Sequence, residues 1–183
     1  MTDAFAEFGV EKRLWLDPVA LQSRYHELAS VRHPDKCGGD PLPLARLNEA
    51  RRILSSPPLR IGHLLALSGL PEISERKFAP DFELFSLVGS LARNAEQLSE
   101  TRDSSPLAAA VVRVEAASLQ KKISSALDQI NLQLDALEKK ICAMDQAWPD
   151  VAPLDLALLA DEFSFLMKWR KSLRAARTRL LGG

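Results

Sequence analysis

The chain has 183 residues, 46% of them hydrophobic and 26% charged, the balance of an ordinary soluble protein with one domain or two small ones. Lys+Arg and Asp+Glu each total 24, so no global field argues for nucleic acid, and recognition must rest on local patches. Cys37 and Cys142 lie far apart and form no C-x-x-C pair; nothing in the sequence suggests a disulfide framework, and free thiols are expected, that of Cys142 partly buried. No apolar run is long enough to span a bilayer, and the stretch from Met1 to Phe5 lacks a secretory pattern. A cytoplasmic protein with no membrane or nucleic-acid partner is expected.

Phe5, Phe8 and Val10 form an apolar cluster that reads as one brief helix ending at Gly9. Asp17-Pro18 starts a second: the aspartate caps first-turn amides and the proline is preorganised for the first helical position. Leu21, Tyr25 and Leu28 follow at helical spacing, with Tyr25 read as a packing residue. Pro34 must end this helix near Arg32, because it lacks an amide hydrogen and disfavours helix at the preceding residue. Beyond a turn that includes Cys37, Leu44, Leu47, Ala50 and Leu54 mark a helix that Ser55-Ser56-Pro57-Pro58 closes. The pair predicts an antiparallel hairpin with His33, Pro34 and Asp35 at its free end. Leu59, Ile61, Leu64, Leu65 and Leu67 then define a short apolar helix stopped by Gly69 and Pro71.

The polar stretch from Leu70 to Lys77 reads as a linker. Leu84, Leu87, Val88, Leu91, Ala95 and Leu98 form the stripe of the next helix, with Phe82 and Phe85 on a neighbouring face. A long helix restarts at Ser104-Ser105-Pro106; its Ile123, Leu127, Ile130, Leu134, Leu137, Ile141 and Met144 alternate spacings of four and three, a heptad seam. Trp148-Pro149-Asp150 breaks it, and Leu156, Leu159, Phe163, Leu166 and Leu173 mark a last helix. The expectation is an all-α chain: residues 1–75 as one domain, and residues 76–183 as a three-helix bundle.

From the residues alone, His33-Pro34-Asp35 admits three readings. It can be a helix stop with an exposed polar turn, or an imidazole–carboxylate dyad for general-base work, although no nucleophile motif accompanies it. A metal reading would gather His26, His33, Asp35 and Cys37, but their spacing matches no familiar finger. No metal site, cofactor or enzymatic activity is expected.

Set between two helices of similar length, with a short helix before and another after, the His33-Pro34-Asp35 sequence resembles the signature of the J domain. More narrowly, Pro58-Leu59-Arg60-Ile61-Gly62-His63-Leu64-Leu65-Ala66-Leu67-Ser68-Gly69 is similar to a stretch of HscB, the J-domain co-chaperone family of iron–sulfur cluster assembly. The resemblance implies a J domain over residues 1–75 and a client-binding bundle over 76–183. It also implies a function, stimulation of ATP hydrolysis by a DnaK/HscA-class chaperone and delivery of an IscU-type scaffold protein. A J-domain protein serving another client, or an inactive helical adaptor, are the alternatives.

Carried over residue by residue, the chaperone contact falls on His33, Pro34 and Asp35, with Arg24, Arg32 and Lys36 as the basic flank. The chain departs from general J domains in holding Gln22, Ser23, His26 and Glu27 where Lys or Arg is common, a departure shared with the HscB branch. The client contact falls on Phe82, Leu84, Phe85 and Leu87. The glutamates that accompany it in the family are mostly replaced, and the pattern leaves Phe82 and Phe85 open between client contact and core.

Overall fold

A computed structural model describes residues 2–36, 38–69, 79–100 and 106–181. Its elements are α1 (Ala4–Phe8), α2 (Pro18–Val31), one 3₁₀ turn (Pro34–Lys36), α3 (Leu42–Leu54), α4 (Pro57–Leu67), α5 (Phe82–Glu100), α6 (Pro106–Asp145) and α7 (Pro153–Leu181). The fold is all-α, with no strand among the described residues. The chain forms two compact units: Met1–Lys77 with Glu138–Asp161, and Phe78–Leu137 with Glu162–Gly183.

In the first unit, capping fixes the short elements. The Asp3 carboxylate accepts from the amides of Phe5 and Ala6, and Gly9, at φ 66°, takes the left-handed cap that ends α1. Asp17 caps α2 through the Val19 amide at 2.9 Å, as its pairing with Pro18 predicts. At the start of α3, Pro41 cannot cap with a side-chain oxygen, and Asp40 serves instead by accepting from Leu42 N at 2.9 Å. Phe5, Phe8, Leu14, Leu21, Leu47, Ala50, Leu54, Ile61 and Leu64 form the core around these helices.

The division differs from the expected 1–75 and 76–183 in one respect. The end of α6, the segment after it and the start of α7 pack with the first unit. Asp145 is the reason. It is buried, and its carboxylate accepts from Leu14 N at 2.7 Å, Trp15 N at 3.2 Å and Arg13 Nε at 3.0 Å. The expected linker, from Leu70 to Lys77, lies outside the described residues, as do Cys37 and Ser104-Ser105.

The second unit is a three-helix bundle. Late α5 (Asn94, Gln97) and early α6 (Glu115, Lys122) line one cleft, late α6 (Gln133, Leu137) and early α7 (Glu162, Leu166) line another, and Glu96 of α5 pairs with Arg179 of α7. This placement makes α6 antiparallel to both neighbours. The heptad residues Ile123, Leu127, Ile130, Leu134 and Leu137 are all buried there, while Ile141 is buried in the first unit. Cys142, expected to be partly buried, is exposed, since it lies one position off the seam.

Candidate functional site

The His33-Pro34-Asp35 turn follows directly from the end of α2. The Arg32 amide still donates to Leu28 O at 3.0 Å; the chain then leaves the helix before Pro34, and Lys36 N closes the 3₁₀ turn on His33 O at 2.8 Å. The His33 and Asp35 side chains are 55% and 86% exposed. His33 Nδ1 lies 3.4 Å from the Asp35 amide and 3.3 Å from its carboxylate. At such lengths neither contact holds the pair firmly. Lys36 is exposed in the same turn. The turn therefore offers an imidazole, a carboxylate and an ammonium group to solvent, with few internal commitments.

The two arginines of the expected basic flank are placed differently. Arg32 turns back on α1, where its guanidinium pairs with the Glu7 carboxylate and donates to Glu7 O at 3.1 Å. Arg24 donates to Phe8 O at 3.2 Å and to Glu27 Oε2 at 3.0 Å. Both fasten the end of α1 to α2, satisfying carbonyls that a five-residue helix leaves open. Only His33, Asp35 and Lys36 come together as an exposed set.

Sequence reasoning missed the polar seam along the hairpin. Tyr25 Oη donates to Asn48 Oδ1 at 2.8 Å, Arg51 donates to Gln22 Oε1 at 2.9 Å, and the Arg51 guanidinium lies 4.1 Å above the Tyr25 ring. Tyr25 packs as expected, though against an arginine. His26 bonds Gln22 and meets Tyr25 edge-on. Among the described residues no group of three His, Cys, Asp or Glu side chains is placed to hold a metal ion.

Also missed were two buried polar groups of α4, Arg60 and His63. Arg60 donates from Nε to Leu14 O at 2.8 Å and from Nη1 to Leu54 O. Burial pulls its guanidinium down to about 10, against the opposing pull of Asp145 and Glu138. His63 Nε2 accepts from Ala4 N at 3.0 Å, completing the amide partners of α1, and its ring stacks on Phe5. Burial lowers its pKa, opposed by Asp3 and aided by Lys12. The signal was present: Arg60 and His63 share a face with Ile61 and Leu64, whereas Leu59, counted with the apolar residues of this helix, is 39% exposed.

On α5, Phe82, Phe85 and Leu87 are exposed, at 76%, 53% and 41%. Leu84 is a correction to the expected client set. It is 2% exposed and faces the bundle interior with Val88, Leu91 and Ala95, at spacings of four, three and four. Phe85 extends the exposed face toward α7, with its ring 6.2 Å from Trp169, which in turn meets Phe165.

No protein-family model matches the chain. Among solved structures it is similar to chaperone HscB from Vibrio cholerae, at a TM-score of 0.56 and 18% identity, over 98% of this chain and 99% of that one. From end to end, this chain has an HscB-like fold.

Proposed function

We propose that the chain is a cytoplasmic co-chaperone without enzymatic activity of its own. Through His33, Pro34 and Asp35 it binds a DnaK/HscA-class ATPase, raises the rate of ATP hydrolysis, and delivers an IscU-type iron–sulfur scaffold protein. The observation that carries this is the exposed His33–Lys36 turn at the tip of an α2/α3 hairpin, within a chain of HscB-like fold. Exposed groups with weak internal bonds retain their hydrogen-bonding capacity for a partner. Stimulation then requires only that the turn bind the hydrolysis-ready state of the ATPase more tightly than its resting state. Arg24 and Arg32 act as positioning residues that hold α1 against α2, and Lys36 supplies local charge.

Client binding is assigned to Phe82, Phe85 and Leu87, an exposed aromatic face of the kind that anchors interfaces. Its apolar character, where the family carries glutamates, favours a second reading in which the client is another protein. Steady-state ATP turnover by the DnaK-class ATPases of the same organism, with and without the scaffold, tests both parts. Stimulation that rises further with scaffold and falls in Phe85→Ser supports the iron–sulfur reading. Stimulation indifferent to the scaffold moves the proposal to another client, and no stimulation at any concentration overturns the co-chaperone reading.

A further inference from the structure

At the end of the hairpin remote from the His-Pro-Asp turn, the first unit contains a cleft of about 260 Å³. Its residues come from the start of α2 (Pro18, Leu21, Gln22), the end of α3 (Arg51, Ser55) and the start of α4 (Arg60), whereas the turn joins Val31 to Leu42. Two guanidinium groups, an amide and a hydroxyl line it, and none of its described lining residues carries a carboxylate.

Both guanidinium groups are fixed before any ligand arrives. Arg51 is held by Gln22 and by the Tyr25 ring. Arg60 is 4% exposed; its Nε and Nη1 serve carbonyls of Leu14 and Leu54, and Nη2 has no hydrogen-bond partner among the described residues. The nearby Asp145 does not bond Arg60, because its oxygens are engaged by Arg13, Leu14 and Trp15. A buried cation bonded only to neutral carbonyls is costly, and neighbouring water satisfies an N–H without offsetting the charge. An oxyanion does both, in the planar geometry that a guanidinium favours.

We propose that this cleft binds an oxyanion group, carboxylate or phosphate, carried on a small ligand and held between Arg51 and Arg60. Leu21 and Pro18 provide apolar wall for the body of the ligand. The site is independent of the ATPase contact assigned above. A bound anion would favour the charged guanidinium and so oppose the burial that draws the Arg60 pKa down to about 10.

The test is a titration of the full ¹⁵N-labelled chain with sodium isobutyrate and, separately, sodium phosphate, at ionic strength held constant with sodium chloride. The readout is the Nε–H signals of Arg51 and Arg60. A saturable shift at both signals is expected, weakened about tenfold or more in Arg51→Gln, in line with the loss of one charged hydrogen-bond donor. Arg113→Gln, on α6, should leave the affinity unchanged. Saturation by isobutyrate alone assigns a planar carboxylate ligand, and by phosphate alone a phosphorylated one; either supports the site. Shifts linear in concentration in both arms, or saturation indifferent to Arg51→Gln, overturn it. Arg51 lies outside the bonded set of Arg60, so Arg51→Gln should fold.

Discussion

Two polar regions of the first unit behave in opposite ways. At the His33–Lys36 turn the side chains are exposed and their mutual contacts are 3.3 Å and longer. Around Asp145 and Arg60 the groups are buried, and one carboxylate alone accepts three donors between 2.7 and 3.2 Å. Buried polar groups bonded to backbone far away in the sequence specify how a chain packs; exposed groups with spare bonding capacity cost little to keep and remain available for partners. The HscB-like stretch from Pro58 to Gly69 belongs to the first kind, since it carries Arg60 and His63 into the core. The His-Pro-Asp turn belongs to the second.

Substitutions that separate the two regions should have very different effects on stability. Asp145→Ala leaves the amides of Leu14 and Trp15 unbonded, and a loss of about 3 kcal/mol is expected in urea unfolding. A loss below about 1 kcal/mol would show that the segment after α6 contributes little to the first unit. Arg32→Ala removes a half-buried tie to Glu7, and about 1 kcal/mol is expected, with faster amide hydrogen exchange confined to α1.

The His63 contact should be visible as a pH dependence. Its Nε2 accepts from the Ala4 amide and must be unprotonated, and its pKa lies below the ordinary 6.5 in the folded chain. Between the two pKa values the unfolded state binds more protons. This stabilisation is therefore complete above about 6.5 and declines as pH falls through that value. From pH 7.5 to 5 the urea midpoint of wild type should fall more steeply than that of His63→Gln, which lacks the titrating imidazole. Parallel slopes would assign the titration elsewhere.

Much of the hairpin was legible because its signals are local. Asp17-Pro18 starts α2, Pro34 stops it, and the four-and-three spacing from Ile123 to Leu137 marks one buried seam. What stayed hidden depends on residues distant in sequence. Asp145 meets Leu14 across 131 positions, so no window of sequence shows that the end of α6 belongs with the first unit. The family resemblance makes Arg24 and Arg32 a basic flank, yet their partners, Phe8 and Glu7, are on α1. Leu84 was matched to a client position through the family resemblance although it also begins the helix stripe; the structure keeps it on that stripe and leaves Leu87, read on the same stripe, exposed. By contrast, Arg60 and His63 interrupt an apolar face, a visible violation that marks buried polar groups.

The smallest expected change in stability belongs to the residue with the largest expected effect on function. His33→Gln should alter the urea midpoint by less than about 0.5 kcal/mol, as exposed substitutions usually do. Measured beside its stability, the stimulation of ATP turnover in a DnaK-class partner tests the central claim most directly. The account predicts a fully folded His33→Gln protein that no longer stimulates; stimulation retained at wild-type level would contradict it.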